Sequence, residues 1–437
     1  MSVQGGERLR LLYPDLHGIE RGKYLLGDWD ARGGANFCVG VWPLTFDKEI
    51  LPIPGVQFDV GLPDLEARLD RETIRPSWEP DTVIGLADTR YRGAPHPLDC
   101  RQALRDAVKP WTDLGLIPQV AFEFEFYLME PDGSGGWRPV SLPSHRVYGT
   151  GHAIDPSGTV DDIVRTTVAC GFDVEGWGSE FDTSAYEVNI RYRDALEAAD
   201  DAFVFKLLYH EIAARHGMLA TCLGRPIADR GGTGLHVNLS FRRADDGTNA
   251  LYDPEAPDGL TGLAHQCLAG MLAHHEGSAA ICAPTINAYK RLLPDMLNGY
   301  WATWGYDDRS VGIRIAPDRG SATRLENRVP DGTANPYLTT AALLHACRLG
   351  VEHELAPPPP QPTGAEPNTT VHTPPTLEAA LQAFESDTEL CEALGPDIVT
   401  AFTMLKQAEW KRYVEAVEDP ATAEVTDWEL DYYLPFY

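Results

Sequence analysis

Alternation of apolar and charged residues is clearest in the segment Ala121–Tyr127. Phenylalanine occupies every second position there, and Glu123 and Glu125 lie between the phenylalanines. Because a strand places alternate side chains on opposite faces, the pattern predicts a strand with one apolar face and one carboxylate face. Taken alone, this pattern is typical of a strand with one face in water.

The same character recurs in four later segments, Tyr186–Tyr192, Leu235–Ser240, Val311–Ile315 and Arg324–Arg328. Each combines an apolar face with a face of polar or ionisable side chains. In chain order, that second face carries Glu187, Asn189 and Arg191; His236, Asn238 and Ser240; Arg314; and Arg324, Glu326 and Arg328. Glu180 lies just before the first of these segments. The repetition predicts one sheet whose second face lines a charged cavity.

The remaining periodicity divides the chain near residue 96. Before that point, short apolar runs such as Leu9–Tyr13, Phe37–Trp42 and Thr82–Leu86 alternate with turn residues and predict a small β-rich unit. Helical spacing begins at Cys100–Lys109, and a Pro-rich segment, Ala356–Pro375, is predicted to be extended. Further helices are predicted at Ala195–His216, Leu260–Cys282, Leu338–Glu352, Leu377–Gly395 and Ile398–Val417. Helices mixed with short strands indicate an α+β fold.

Composition narrows the class of protein. The chain has 437 residues, of which 43% are hydrophobic, so it can bury a substantial core. A net charge of -29 repels nucleic acid and anionic lipid, and we expect neither as a partner. No apolar stretch reaches the about 18 residues of a membrane span, and the first residues do not have the features of a signal peptide. We therefore expect a cytoplasmic protein.

The charged face has a definite chemistry. Its carboxylates, Glu123, Glu125, Glu180, Glu187 and Glu326, together with one imidazole, His236, suit Mg²⁺ or Mn²⁺ better than zinc. Its arginines suit phosphate or carboxylate groups, which they bind through paired hydrogen bonds. Divalent cations combined with phosphate-binding arginines indicate a nucleotide-dependent phosphoryl transfer enzyme.

At these residues the sequence resembles the glutamine synthetase family, and the resemblance runs over nearly the whole chain. Any single matching segment is weak evidence, but their common order makes another fold very improbable. The matching segments are Gly18–Lys23, Phe122–Phe126, Ser179–Glu187, Gly231–His236, Asn287–Leu292, Asp308–Ile315, Arg324–Arg328 and Ala334–Tyr337.

The resemblance implies a β-grasp domain at residues 1–96 and a catalytic domain at 97–437, in which an antiparallel sheet lines the active site. It implies a homo-oligomeric ring, a dodecamer of two hexamers, with active sites where neighbouring subunits meet. The implied cofactors are ATP and two or three Mg²⁺ or Mn²⁺ ions. The implied reaction phosphorylates the side-chain carboxylate of glutamate and then lets an amine attack the acyl phosphate.

The resemblance also implies roles for individual residues. Glu125, Glu180 and Glu187 hold one metal, and Glu123, His236 and Glu326 hold the other. Arg291, Arg328 and Gly232 bind glutamate, Asn238 and Arg314 bind the nucleotide, and Arg309, Arg314 and Asp59 serve catalysis.

One departure from the family bears on the second substrate. Ammonia-using members have a glutamate six residues after the arginine of the Tyr-Lys-Arg motif, where it holds ammonium, and here that position is Leu297. Trp301 and its aromatic neighbours add to an apolar amine pocket. Ammonium needs an anionic or π-rich contact and a base to remove its proton, and Leu297 supplies neither. Two smaller departures are Gly231, where the family has asparagine, and Asn238, where it has histidine.

We therefore predict a γ-glutamyl-amine ligase whose substrates are L-glutamate and an organic amine. An uncharged aromatic amine fits Leu297 best, although the acidic chain could also attract polyamines. The alternative is an authentic glutamine synthetase in which Asp295, a shifted loop or Asp59 replaces the missing carboxylate. A non-catalytic, ring-forming member of the family is a third reading.

Overall fold

The structure is a computed structural model that describes residues 8–437. Residues 1–7, which belong to the segment predicted to have no signal peptide, lie outside the described residues. The predicted α+β class is confirmed, because two sheets combine with a set of helices. No helix in the described part of the chain is both long and apolar enough to cross a membrane.

The first sheet has 6 strands and occupies the N-terminal part of the chain. Its strands follow the order β2-β1-β5-β4-β3, with β6 paired to β5, and only the β1–β5 pair is parallel. The strands and the short helix between them are β1 (Arg8–Pro14), β2 (Glu20–Leu26), α1 (Trp29–Arg32), β3 (Gly34–Cys38), β4 (Asp64–Pro76), β5 (Thr82–Tyr91) and β6 (Ala94–Pro95).

The second sheet has 10 strands, with β7 at its centre. Seven of its strands pair in the order β14-β15-β16-β13-β7-β10-β9, and every pair in this order is antiparallel except β14–β15. The strands are β7 (Leu116–Pro131), β8 (Trp137–Pro139), β9 (Val174–Ser179), β10 (Ala185–Ile190), β11 (Arg193–Asp194), β12 (Leu219–Thr221), β13 (Leu235–Arg243), β14 (Trp304–Tyr306), β15 (Ile313–Ile315) and β16 (Leu325–Asn327).

Helices cover the apolar face of this sheet and form the C-terminal layer. They are α2 (Cys100–Asp113), α3 (Thr159–Ala169), α4 (Ala195–Arg215), α5 (Gly262–Ala273), α6 (His275–Cys282), α7 (Ala288–Arg291), α8 (Pro336–Glu352), α9 (Leu377–Ser386), α10 (Thr388–Leu394), α11 (Pro396–Ala416) and α12 (Asp427–Tyr433). The predicted extended segment at 356–375 contains neither a helix nor a regular strand.

Helix α4 explains why one face of β7 is apolar. The ring of Phe126 stacks on Tyr209 with centroids 5.0 Å apart, and Phe124 packs edge-on against Phe205 at 4.7 Å. Burying aromatic rings against a helix removes apolar area from water at about 25 cal/mol per Å². The glutamates that alternate with these rings must therefore point to the opposite side of the sheet.

Two predicted helices are each divided in the structure. The stretch Leu260–Cys282 breaks at His274, and Leu377–Gly395 breaks at Asp387. The two breaks touch, because the Nδ1 atom of His274 lies 2.7 Å from the Asp387 carboxylate. Asp387 also accepts a hydrogen bond from the backbone of Leu390 and so caps α10.

Two strand predictions were too long. The run Phe37–Trp42 leaves the sheet at Cys38 and continues as a 3-10 turn over Val39–Val41. The strand predicted to reach Tyr192 ends at Ile190, so Arg191 does not join the charged face. Its guanidinium is half exposed and pairs with Asp173 at 2.7 Å.

Candidate active site

The strand registers bring the predicted polar residues onto one face of the second sheet. Glu123 on β7 stands opposite His236 on β13 and opposite Asn189 on β10. Glu125 stands opposite Glu187, and Glu326 on β16 stands opposite both Asn238 and Arg314. Side chains that face each other across paired strands lie about 5 Å apart at Cβ. The sheet therefore assembles residues that are up to two hundred positions apart in the chain.

Glu123, His236 and Glu326 form the tightest cluster on this face. One potential ligand atom from each of the three residues lies within 4.8 Å of the others. His236 Nδ1 is 3.2 Å from Glu123 Oε2 and 3.8 Å from Glu326 Oε1. Glu326 is fully buried. Two carboxylates and one imidazole form a donor set that fits a divalent cation of the Mg²⁺ or Mn²⁺ type.

Glu125, Glu180 and Glu187 lie next to this cluster. Glu125 Oε1 is 3.8 Å from His236 Nε2, and the other carboxylate oxygen accepts a 2.6 Å hydrogen bond from the backbone N–H of Gly234. Burial and the charge of Glu123 raise the pKa of Glu187 to about 8. Burial and the charge of Glu125 raise the pKa of Glu180. The carboxylates thus repel one another, and a cation between them would relieve that repulsion.

Glu123 behaves in the opposite way from its neighbours. Burial acts to raise its pKa, but the hydrogen bonds from His236 and Asn238 outweigh burial and hold the pKa at about 2. Asn238 Nδ2 donates to Glu123 Oε1 at 3.0 Å, and Asn238 Oδ1 accepts from Arg324 Nε at 3.1 Å. Asn238 therefore links a carboxylate of the cluster to an arginine. A histidine at this position could also have carried charge.

Arginines enclose the cluster on the side of β15 and β16. Arg314 donates to Glu326 Oε2 at 2.7 Å and to Asp307 at 2.6 Å, and Arg328 donates to the other oxygen of Glu326. The Nε atoms of Arg314 and Arg328 are buried and have no partner among residues 8–437. Unsatisfied buried donors are costly, so these two atoms favour an anionic ligand.

Arg309 lies at the exposed edge of the same region. Burial raises the pKa of Glu180, and the charge of Arg309 opposes that rise; the hydrogen bond from Arg314 lowers the pKa of Asp307, and the charge of Arg309 adds to that lowering. It makes no hydrogen bond or ion pair with another described residue. The guanidinium is thus near the carboxylates and remains available to a ligand.

Arg291 is buried beside a glycine-rich loop. It donates to the backbone carbonyls of Val329 at 2.8 Å and of Arg328 at 3.0 Å. A Cβ atom at Gly232 would stand 2.2 Å from the carbonyl oxygen of Gly224 and 2.7 Å from Arg291 Cγ. Only glycine lets the loop approach both groups at this point. Gly232 and Arg291, predicted to share the glutamate site, are thus in contact.

Leu297 lies on the loop between α7 and β14. Its side chain is 65% exposed, and its backbone carbonyl accepts a 3.3 Å hydrogen bond from Arg328. The same loop is tied to the Arg291 backbone through the side chain of Asn298. Asp295 is also exposed and makes no hydrogen bond or ion pair within the described chain. The loop thus exposes the Leu297 side chain, while the Leu297 backbone is held by Arg328, which also binds Glu326 of the cluster.

Trp301 belongs to an aromatic group that joins this loop to the Pro-rich segment. The ring of His372 stacks on Tyr300 with centroids 4.9 Å apart and meets Trp301 edge-on at 5.6 Å. Trp301 and His372 also form an isolated β-bridge. His372 was not predicted, because nothing in the composition of residues 356–375 marks one histidine as a neighbour of this loop.

Asp59 is not part of the assembled group. It lies on an exposed 3-10 turn, Phe58–Val60, and forms no hydrogen bond or ion pair within residues 8–437. The neighbouring side chains of Phe58 and Val60 are 70% and 44% exposed. Asp59 remains a prediction that depends on a second subunit.

Comparison with known proteins shows the family to which this chain belongs. Residues 97–433, more than half of the chain, match the family model described as "Glutamine synthetase, catalytic domain". The chain belongs to the glutamine synthetase family. Members of this family use ATP and divalent cations, and this chain is an ATP-dependent carbon–nitrogen ligase of the family.

Relatives within the family include both kinds of ligase. A glutamate–isopropylamine ligase from a Pseudomonas species is 32% identical, with 98% of this chain and 95% of that protein covered. The glutamine synthetase of Thermus thermophilus is 39% identical, with 80% of this chain and 79% of that protein covered. A solved structure of γ-glutamylmethylamide synthetase (GmaS) without ligand is 29% identical with a TM-score of 0.82, and the alignment covers 98% of this chain and 96% of that one. The predicted resemblance to γ-glutamyl-amine ligases is confirmed, since those relatives align with nearly the whole chain.

Proposed function

We propose that this enzyme joins the side-chain carboxylate of L-glutamate to an organic amine at the expense of ATP. The observation that carries the proposal is Leu297, which by the family resemblance stands where ammonia-using members have the ammonium-binding glutamate, and whose loop is anchored to Arg328. The relatives named as a glutamate–isopropylamine ligase and as γ-glutamylmethylamide synthetase support an organic amine as the second substrate. Asp295 lies on the same loop, but it is exposed and makes no hydrogen bond or ion pair within the described chain, so nothing holds a carboxylate at the Leu297 position.

In the first step, the chain must hold two anions together. Glu123, His236 and Glu326 on one side, with Glu125, Glu180 and Glu187 on the other, would hold two or three Mg²⁺ or Mn²⁺ ions, which neutralise charge on the phosphates of ATP when bound. Asn238 and Arg314 would bind the nucleotide. Arg291 and the backbone at Gly232 would fix glutamate so that its side-chain carboxylate faces the transferring phosphate.

In the second step, the amine displaces phosphate from γ-glutamyl phosphate. Arg309, Arg314 and Arg328 would stabilise the negative charge that develops on the departing phosphate, since each keeps at least one free or unsatisfied donor. The amine would enter past Leu297 and the ring of Trp301. A weakly basic amine arrives uncharged and needs no group to remove a proton before attack, so aromatic amines suit an apolar entrance best.

Authentic glutamine synthetase is the second candidate. The specific observation in its favour is the 39% identity to the Thermus enzyme over 375 residues. It requires a carboxylate for ammonium, which Asp59 of a neighbouring subunit or a moved Asp295 could supply. The two candidates differ in one measurable property, the preference for ammonium over organic amines.

The test is an amine panel. Purified enzyme, ATP, Mg²⁺ and glutamate are incubated with ammonium, methylamine, isopropylamine, aniline or putrescine, and both phosphate release and the amide product are measured. We expect at least one organic amine to exceed ammonium in kcat/KM. Ammonium equal to the best amine would reject the proposal, and Glu326→Gln serves as the control for contaminating ATPase activity.

We also propose a cytoplasmic homo-oligomeric ring of two hexamers, with the N-terminal domain as residues 1–96 and the catalytic domain as 97–437. Exposed Phe58 and Val60 beside Asp59 are suited to a subunit contact. Co-expression of Asp59→Asn and Glu326→Gln chains tests the shared site. A mixed ring contains some sites with both residues intact, so activity should exceed that of either variant alone.

A further inference from the structure

The C-terminal helix α12 reaches the glutamate-binding elements through a buried carboxylate. Glu429 is fully buried, and its Oε2 atom accepts a 2.8 Å hydrogen bond from Asn287 Nδ2. Its Oε1 atom accepts hydrogen bonds from Thr426, the residue that caps the helix, and from the Tyr413 hydroxyl at 3.4 Å, and it lies 3.9 Å from Lys290 Nζ. Glu429 therefore has a structural task at one oxygen and a different partner at the other.

Asn287 occupies an unusual position for its residue type. It immediately precedes α7, where asparagine normally caps the helix with its own side chain, but its side chain makes no such bond. Instead Oδ1 accepts from the Arg225 N–H at 2.6 Å, and Nδ2 donates to the Arg225 carbonyl at 3.0 Å. The carboxamide thus pairs with both backbone groups of Arg225, as a neighbouring strand would.

This pairing joins the two parts of the proposed glutamate site. Arg225 opens the loop that ends at Gly231–Gly234, and its guanidinium binds the carbonyls of Arg230 at 3.1 Å and Lys290 at 3.1 Å. Arg291 is the last residue of α7, four positions after Asn287. The amide group must point its NH2 toward a carboxylate, so Glu429 holds the Asn287 amide in the one orientation that also pairs with both backbone groups of Arg225.

We propose that Glu429 is a positioning residue for glutamate: through Asn287 and Arg225 it fixes the glycine loop relative to Arg291. The inference rests on the proposed function, because it assigns glutamate to Arg291 and Gly232. Glu429 touches no reacting group, and its link to Arg225 runs through Asn287. Its loss should therefore weaken glutamate binding, whereas ATP binding, which is assigned to Asn238 and Arg314, should be retained.

The experiment compares Glu429→Gln with Thr426→Ala. The amide variant keeps the size of the side chain but turns an N–H group toward either Asn287 or Thr426, both of which need an acceptor. The alanine variant removes the cap hydroxyl and leaves the bond between Glu429 and Asn287 in place. Each variant is assayed for KM of glutamate, KM of ATP, kcat and melting temperature, with the best amine of the panel.

We expect Glu429→Gln to raise the KM for glutamate about tenfold or more, as is common when a supporting hydrogen bond is lost. The KM for ATP should stay within about twofold, and Thr426→Ala should lower the melting temperature without changing either KM. An unchanged glutamate KM in folded Glu429→Gln overturns the inference. Wild-type protein that forms no ADP in response to glutamate overturns the proposed function instead.

A further variant covers the case in which Glu429→Gln does not fold. Asn287→Ser removes the link to Arg225 while Glu429 remains bonded to Thr426, and the same rise in glutamate KM is expected. If both link variants fail to fold and Thr426→Ala folds, Glu429 has only a structural role and the inference is wrong.

Discussion

At the scale of single residues, we propose that Leu297 sets the preference for an organic amine over ammonium. Leu297→Glu restores a carboxylate at the position that holds ammonium in ammonia-using relatives. We expect it to raise the ratio of kcat/KM for ammonium to that for the best organic amine about tenfold or more, because a carboxylate attracts ammonium and accepts its proton. Steady-state assays with both substrates measure the ratio.

Leu297→Gln is the matched control, since it adds a polar group of the same size without charge. It should leave the ratio nearly unchanged. A shift of equal size in both variants would mean that polarity or loop movement, rather than the carboxylate, sets the preference.

Glu187, one of the proposed metal ligands, is expected to lower the stability of the metal-free protein. Its pKa is raised from 4.5 to about 8 by burial and by Glu123, so the folded protein binds this proton more tightly than the unfolded chain. Its contribution to stability is therefore lost as the pH rises from 4.5 through about 8. In metal-free buffer above pH 8, Glu187→Gln should have a higher melting temperature than the wild type.

Mg²⁺ should raise the melting temperature of Glu187→Gln by less than it raises that of the wild type. A cation bound only by the folded state adds about 2.7 kcal/mol of stability at one hundred times its Kd, and removing a ligand reduces that gain. Melting curves with EDTA and with Mg²⁺ check both parts. Equal Mg²⁺ shifts in the two proteins would remove Glu187 from the set of proposed ligands.

At the scale of elements, α5 and α8 cross at the closest distance that backbone allows. A Cβ atom at Gly270 would stand 2.1 Å from the Ala346 carbonyl oxygen, and one at Gly350 would stand 2.2 Å from that of Gln266. Gly270→Ala should therefore force the helices apart and lower the free energy of unfolding by about 1–3 kcal/mol. Urea unfolding followed by circular dichroism measures the change.

Gly262→Ala provides the comparison on the same helix. Nothing lies within 4 Å of a Cβ atom at Gly262, and its backbone is not left-handed. This variant should be neutral or more stable by about 0.4–1 kcal/mol. Because alanine also favours the helix more than glycine does, an equal loss of stability in both variants would contradict the assignment of the effect to the crossing.

The sequence patterns predicted the type of each element better than its ends. The alternation that defines β7 predicted both the strand and its polar face, since each strand residue has only two directions in which to point. The breaks at His274 and Asp387 were missed, because each depends on a bond between segments more than a hundred residues apart. The stacking of His372 on Tyr300 was missed for the same reason.

At the scale of the whole molecule, buried neutral histidines make stability depend on pH. Burial lowers the pKa of His345 from 6.5 to about 4, and burial likewise lowers that of His275 to about 4. The unfolded chain binds more protons than the folded protein between these values, so stability is retained above pH 6.5 and falls as the pH decreases toward 4.

His345→Leu should flatten this dependence. The Nδ1 atom of His345 is buried without a partner among residues 8–437, so the substitution removes no hydrogen bond from it. The slope of unfolding free energy against pH should fall by up to about 1.4 kcal/mol per pH unit between 4 and 6.5. Urea titrations at a series of pH values give the slope, and an unchanged slope would contradict the assignment.

The sequence by itself determined the fold class, the family and the residues that carry the charged face, because strand periodicity and motif order are local properties of the chain. It also identified Leu297 as a departure from the family. The tertiary structure decided which of those residues meet. Strand pairing placed Glu123, His236 and Glu326 together. Arg191 pairs with Asp173 instead of joining the charged face, and Asp59 lies away from that face. The fold also brought Glu429 to Asn287 across 142 positions. Those distances depend on packing between remote segments, which no local pattern encodes.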